Sequence, residues 1–389
     1  MISLFTGAGG LDLGLEAAGF VTRVAVEIDR WARETLEANR SSFRSADFPI
    51  LDDIRAFKPE DILKRAGLKR GEAELVAGGP PCQSFSTAGH RLSLGDPRGS
   101  LFVDFAAVIA AAQPRFFIME NVRGLLSAAI KHRPLADRGG ENPPLSVDEQ
   151  PGSAFRIIRH EFEKKLKYQI VFGLVDAADY GVPQNRDRVI ILGSRDREFK
   201  TTELEALMPP THRGSWLPLS SIKKRVRGET PEFIPYSKDR TEILRPVPPG
   251  KNWRWYRDHP EFGIEYTKGI MGGAWDAGGG KVGFYRRLSW DKPSPTLPTS
   301  PIQKSTCLCH PEETRPLSVQ EYAAIQQFPA GYQFAGSIAE NYRQIGNAVP
   351  VGLGTAIGHA LSFDLISKPN KGQQRLFERR SRYTTADVH

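Results

Sequence analysis

Leu75-Val76-Ala77-Gly78-Gly79-Pro80-Pro81-Cys82-Gln83-Ser84-Phe85-Ser86 joins a short apolar run to a stiff turn and a thiol. The run Leu75–Ala77 reads as a buried strand. The glycine and proline pairs end it, and because proline fixes φ, Cys82 follows on backbone with little freedom. Open α/β sheets place their sites at the carboxyl ends of parallel strands. A nucleophilic thiol fits such a position, and so does a buried structural cysteine beside a turn; spacing alone leaves both open.

Composition narrows the class. The chain has 389 residues, 40% of them hydrophobic and 25% charged, which suits a globular protein with room for two domains. No apolar run approaches the roughly 18 residues of a membrane span, and the start Met1-Ile2-Ser3-Leu4-Phe5 is unlike a signal peptide. Three cysteines suit a reducing cytoplasm better than a disulfide framework. Lys and Arg number 53 against 45 Asp and Glu, a net charge of +8 that favours polyanionic partners or simply marks a solvated basic surface.

Outward from the Cys82 stretch, the amino terminus reads strand, glycine turn, helix, strand. Ile2–Phe5 is apolar, Thr6-Gly7-Ala8-Gly9-Gly10 turns, and Leu11, Leu15 and Ala18 share a helical face. Val21–Val26 forms a second strand ending at Glu27, 20 residues after Gly7. A glycine turn followed by a carboxylate suits a nucleotide-type cofactor, although the third glycine of the dinucleotide fingerprint is displaced. Asp53 follows a third short apolar run, where an aspartate also serves as an ordinary turn residue.

Beyond Cys82, Gly89, Gly95 and Gly99 punctuate a loop of lid-like composition, and a helix runs from about Leu101 to Ala112. A buried strand from Pro114 ends in Glu120-Asn121, where the carboxylate is either chemical or a surface ion-pair partner. Residues 127–152 read as an insertion loop, and 154–167 as a helix. Arg186 and Arg188 alternate at the start of another strand, so both can face one site. From about Arg195 to Tyr285 the β/α alternation stops, and Lys223-Lys224-Arg225 and Trp253-Arg254-Trp255-Tyr256-Arg257 give the basic and aromatic texture of nucleic-acid surfaces. Cys307-Leu308-Cys309-His310 has no second ligand pair at zinc spacing, so no metal site is expected.

Six stretches in order resemble the DNA (cytosine-5) methyltransferases of restriction-modification type. They are Phe5-x-Gly7-x-Gly9-Gly10, the acidic Asp53, Gly78–Ser86, Asp179–Gly193, Arg286–Leu297 and Gln344–Val351. The resemblance runs from Ile2 to about Leu365, with 127–152 and 196–285 carrying no family signature. It implies a Rossmann-like, S-adenosylmethionine-dependent α/β sheet with helices on both faces, plus a smaller irregular target recognition domain. The implied boundaries are 1–195 with 344–367 for the catalytic domain, 196–343 for recognition, and 368–389 for a basic flexible tail.

The same resemblance implies roles. Cys82 would attack C6 of a cytosine flipped out of double-stranded DNA. Glu120 would protonate N3, Arg188 would hold O2 and Glu120, and Arg186 would support a phosphate or the loop. Phe5, Gly7 and Gly9 would border S-adenosylmethionine; Glu27 would take its ribose and Ile28 and Asp53 its adenine. Pro81, Leu101, Asn347 and Val349 would complete that pocket, with Gln344–Val351 opening an apolar helix to about Leu365. A monomer in the cytoplasm, near the nucleoid, with a separate cognate restriction endonuclease is the implied setting. The alternatives are a tRNA cytosine-5 methyltransferase, against which the long 196–285 region argues, and a catalytically silent DNA-binding regulator, against which Cys82, Glu120 and the arginine pair argue.

Overall fold

The computed structural model describes residues 1–81, 101–131, 133–134, 137–140, 142–276 and 282–366. Cys82, the glycine-punctuated loop after it and the expected tail therefore lie outside the described residues.

Seven strands form one sheet: β1 (Ile2–Leu4), β2 (Val24–Val26), β3 (Ile50–Leu51), β4 (Leu75–Gly78), β5 (Phe116–Val122), β6 (Gln169–Asp176) and β7 (Asp187–Ser194). Their order is β3-β2-β1-β4-β5-β7-β6. The first five are parallel, with Ile2 opposite both Val24 and Val76, and Leu75 opposite Phe116. β7 runs antiparallel to both β5 and β6. Strand order reverses between β1 and β4, which opens a crevice at their carboxyl ends.

Period-two alternation assigns each strand's residues to two faces. Val76, Phe117, Met119, Val189 and Ile191 join one core with α3 (Pro59–Arg65), α4 (Leu101–Ala112) and α5 (Ser153–His160). Leu75, Ala77, Phe116, Ile118, Ile190 and Leu192 join the other, beneath α1 (Gly10–Ala17) and the last described helix, Val351–Ile366. These two helices touch through small residues: a Cβ on Gly14 would sit 2.3 Å from the Val351 carbonyl, and one on Gly358 2.5 Å from the Ala18 Cβ.

α2 (Arg30–Ala38) and the β2 end of the sheet share a third core with Leu219, Ile222, Leu288, Leu297 and the stretch Leu317–Ala348. Most of the region expected as a separate domain from 196 to 343 thus packs on the sheet domain. Phe199, Leu204 and Met208 enter the core around Ile190 and Leu192. Only Tyr236, Leu244, Trp253, Met271, Tyr285, Cys307 and Cys309 gather a core of their own. Between residues 196 and 309 the described chain holds short helices only, α6 (Leu204–Leu207), α7 (Lys238–Leu244), α8 (Arg254–Asp258) and α9 (Gly263–Met271).

α10 (Val319–Ile325) begins with Ser318 and Glu321 as a capping box. α11 (Ile338–Asn347) ends where Ala348 turns extended before Pro350, and α12 (Val351–Ile366) follows. The stretch Gln344–Val351 is therefore a helix-to-helix junction, not the opening of one helix. A residue before proline is pushed out of the helical region, which accounts for the break. Among the described residues no helix is long and apolar enough to cross a membrane.

Candidate active site

The crevice at the switch point is a cavity of about 660 Å³. The turn after β1 shapes its floor: Phe5 and Gly7 have φ of 55° and 56°. A Cβ on Gly7 would meet nothing within 4 Å, so the turn faces open space. Gly7 N–H donates to Glu27 Oε2 at 2.7 Å and Asp29 N–H to Glu27 Oε1 at 2.8 Å. A carboxylate offers about four lone-pair positions, so Glu27 retains acceptor capacity for a ligand diol. Burial pushes its pKa above the usual carboxylate value, against those two backbone donors.

Ile28 lines the rim with 61% of its surface exposed, apolar area that no core covers. Asp53 stands nearby, held by Arg55 through Nε at 3.0 Å and Nη2 at 2.8 Å. Phe5, Gly7, Glu27, Ile28, Asp53, Pro81, Leu101, Asn347 and Val349 all line this cavity. Gly9 does not. Its φ of 83° starts α1, and a Cβ there would press on Leu36 and Phe43 at 3.0 and 3.1 Å. It serves the turn rather than the cavity wall.

Some lining residues escaped the sequence reading. Gly10 accommodates the Val349 carbonyl, which would lie 2.3 Å from a Cβ. Asp12 is 2% exposed, with Oδ1 lacking a hydrogen-bond partner. Burial raises its pKa to about 7, while a hydrogen bond from Ser3 opposes the rise. An acidic residue in a first helical turn looks like an ordinary dipole partner in sequence, so nothing local singled it out.

A second cavity of about 340 Å³ adjoins, lined by Pro80, Pro81, Glu120, Arg186, Arg188, Thr296, Pro298 and Asn347 among others. Glu120 and Arg188 form an ion pair there, Nε to Oε1 at 2.6 Å, with both side chains about one-tenth exposed. Burial raises the Glu120 pKa, and the guanidiniums of Arg188 and Arg186 oppose that rise. Asn121, buried next to Glu120, donates through Nδ2 to the Pro80 carbonyl at 2.9 Å. That bond ties the Pro80-Pro81 turn to the end of β5. A Cβ on Gly79 would approach Glu120 Oε2 to 3.0 Å, so the glycine leaves the carboxylate its room.

Arg186 differs from expectation. It is 2% exposed and donates from Nη1 to the Leu297 carbonyl at 3.3 Å and from Nη2 to the Gly346 carbonyl at 2.7 Å. Burial lowers its pKa to about 9, and nearby Arg188 adds to the effect. A group so enclosed braces backbone rather than reaching a surface phosphate. The two cavities share Gly79, Pro81, Glu120 and Asn347.

Toward the small core, two expectations change. Arg225, though exposed, donates to the Phe328 carbonyl, and Lys223 lies 4.2 Å above the Trp290 ring and 3.4 Å from Glu312. Of the basic trio, Lys224 alone is left exposed without either kind of engagement among the described contacts. In the Trp253–Arg257 stretch, Trp253 points into the small core, and Tyr256 is buried against Phe262 and Tyr266. Cys307 lies buried with Sγ 3.4 Å from the Tyr236 hydroxyl.

Comparison with known proteins follows the same lines. The sequence model of the C-5 cytosine-specific DNA methylase family matches residues 1–362. The Type II methyltransferase M.Sau96I of Staphylococcus aureus is 38% identical over 92% of this chain and 74% of its own length. M.Eco47II of Escherichia coli is 38% identical over 95% of this chain and 80% of its own. In fold, a candidate DNA modification methyltransferase encoded in an E. coli prophage superposes with a TM-score of 0.65 at 21% identity, covering 94% of this chain and 98% of that one. The Dnmt2 methyltransferase of S. pombe gives 0.57 at 15%, covering 94% and 97%. Family match and sequence relatives agree over nearly the whole chain, which belongs to the C-5 cytosine-specific DNA methylases.

Proposed function

We propose that the larger cavity holds S-adenosylmethionine, the methyl donor of this family, and that the smaller one holds a cytosine flipped out of duplex DNA. One observation carries the reading: the two cavities meet at Gly79, Pro81, Glu120 and Asn347, and Pro81 is followed directly in sequence by Cys82. The donor set fits the cofactor. Glu27 keeps lone pairs for ribose hydroxyls, Ile28 offers an apolar face to adenine, and Asp53 stands beside it. When bound, the cofactor would supply an electrophilic methyl group.

The chain's own residues would do the rest. The Cys82 thiolate adds to cytosine C6, and the electron pair of the C5–C6 bond moves into the ring. Glu120, its pKa raised by burial, delivers a proton to N3 as that charge develops. Arg188 holds the Glu120 carboxyl in place and donates toward O2. C5, now an enamine carbon, takes the methyl group. A base such as water then takes the C5 proton, the C5–C6 double bond re-forms with expulsion of the Cys82 thiolate, and N3 returns its proton to Glu120. Arg186 acts from behind, as a brace for the cavity wall.

Residues 236–285, which gather with Cys307 and Cys309 around a separate core, are the part we assign to reading the DNA sequence. We further propose that the enzyme acts as a monomer in the cytoplasm, at the nucleoid, and separately from a cognate restriction endonuclease; its likeness to relatives named Type II methyltransferases supports a restriction-modification setting. The test is an adduct: duplex DNA carrying 5-fluorocytosine at the target should form a denaturation-resistant complex, since no C5 proton can leave. Formation of that adduct by Cys82→Ala would overturn the reading.

A further inference from the structure

Two glutamines without exposed surface, Gln184 and Gln326, lie between the walls of the two cavities. Gln184 sits just before Arg186, and Gln326 directly follows α10. Leu297 N–H donates to Gln184 Oε1 at 2.9 Å. Gln184 Nε2 donates to Gln326 Oε1, also at 2.9 Å. Gln326 Nε2 then donates to the carbonyls of Ile345 at 2.7 Å and Ala348 at 3.1 Å. The backbone carbonyl of Gln326 receives Val351 N–H at 3.0 Å, at the start of α12.

This chain has one consistent polarity. An N–H at the Leu297 end requires an oxygen from Gln184, so the Gln184 amide nitrogen must face Gln326. Two carbonyls at the far end require the Gln326 nitrogen, so its oxygen faces back. Reversing either amide would set oxygen against oxygen or nitrogen against N–H in a site without water access.

The ends of the chain are the walls of the cavities. Leu297 lies between Thr296 and Pro298, which line the Glu120 cavity. Ala348 lies between Asn347 and Val349 and lines the larger cavity with them. Arg186 adds a parallel link from Leu297 to Gly346. The two segments also touch directly: a Cβ on Gly346 would sit 2.5 Å from the Pro298 carbonyl.

We infer that Gln184 and Gln326 are positioning residues that make the base-side wall and the cofactor-side wall one unit, so that filling either cavity orders the other. The inference rests on the reading of the two cavities given above. A ligand that fixes Asn347–Val349 fixes, through the two amides, the backbone at Thr296–Pro298. The second ligand then meets a wall already in place and binds more tightly.

The measurement is the affinity of S-adenosylhomocysteine by titration calorimetry, without and with saturating duplex DNA containing the mapped target. The ratio of the two dissociation constants is the coupling factor, expected to be at least about 5 in the wild type. Linkage requires the same factor for DNA affinity with and without S-adenosylhomocysteine, which checks the data internally. Gln326→Leu removes the whole link at similar volume. Gln184→Met removes the bonds to Leu297 N–H and Gln326 Oε1 at similar volume. Both should bring the factor to within about twofold of unity while each ligand alone binds within about threefold of wild type. A merely structural role would weaken both affinities together and leave the ratio unchanged.

An unchanged factor in folded variants, or a wild-type factor of one, overturns the inference. If Gln326→Leu does not fold, Gln184→Met decides. Failure of the wild type to bind S-adenosylhomocysteine, or binding undisturbed by Glu27→Ala, would instead refute the reading of the cavities.

Discussion

Glu120→Gln is the substitution that tests the chemistry most directly. The amide keeps the carboxyl's shape, and its Oε1 can still accept from Arg188 Nε, now 2.6 Å from Glu120 Oε1. What it loses is the proton. General acid catalysis contributes about 10²–10⁴-fold to a rate, or about 3–5 kcal/mol of barrier. The enclosed site favours the larger half of that range, because a water molecule has little access to replace the donor. The assay is single-turnover transfer of tritiated methyl groups to duplex DNA, which separates chemistry from product release. Affinity for S-adenosylhomocysteine should move by less than about 1 kcal/mol, since a hydrogen bond of ordinary strength is the most that changes on that side. The pH profile supplies a second readout. Burial raises the Glu120 pKa, so the proton-bearing form persists above the usual carboxylate range and is lost as pH rises through the raised value. The wild-type rate should acquire a falling limb there, and Glu120→Gln should lack it. A single-turnover rate within a few-fold of wild type, or a limb that survives the substitution, refutes Glu120 as proton donor.

Three further outcomes are expected. Glu27→Ala should weaken S-adenosylhomocysteine binding by about 1.5–3 kcal/mol, the range for hydrogen bonds to a charged group, and calorimetry reads it; undiminished binding removes Glu27 from the site. Asp12→Asn should flatten one pH dependence of stability. With a folded pKa of about 7 against 3.8 unfolded, Asp12 stabilises fully below the unfolded value, and that contribution of a few kcal/mol is lost as pH rises through about 7. Urea unfolding should thus show the variant gaining on wild type between pH 5 and pH 8, and parallel curves would contradict the assignment. Replacing residues 236–285 with the corresponding unit of a relative of known specificity should move the methylated site on bisulfite sequencing; retention of the old site would place sequence choice elsewhere.

What the sequence could reveal was local. The turn at Gly7, the carboxylates at 27 and 53 and the Glu120-Asn121 strand end are each set by neighbours a few residues away, and they line the cavities or fix their walls. Contacts across the chain were not readable in this way. Arg186 and Arg188 alternate in sequence, yet one meets Glu120 at the cavity wall while the other reaches carbonyls at 297 and 346, partners more than 100 residues away. How the chain packs after residue 196 was not readable for the same reason. Loss of β/α alternation marks irregular chain correctly, but composition does not say that Phe199 and Met208 return to the sheet while Tyr236 and Trp253 form their own core. Arg225 is exposed, as its basic neighbours suggest, but its carbonyl partner at Phe328 lies 103 residues on.

The reversed strand β7 explains why the chemistry gathers at one edge. In a wholly parallel sheet, only carboxyl ends of strands reach the crevice, and a residue at the start of a strand lies at the opposite edge. β7 runs against β5, so its first residues come to the crevice while its last, Ser194, pairs with Phe116 at the far edge. Arg188 is opposite Val122 in that register, and Glu120 is opposite Ile190. Arg188 and Glu120 are therefore diagonal neighbours on one face, the offset from which long side chains can meet. Arg186, one residue before β7 begins, stands beyond the sheet edge and turns into the junction with α11 and the strap at Leu297. Reversal of one strand thus brings a carboxylate from a strand's end and a guanidinium from a strand's beginning to a separation of 2.6 Å. The same reversal carries the Gln184–Arg186 corner to the segments that wall both cavities, so the ion pair and its bracing come from one turn of chain.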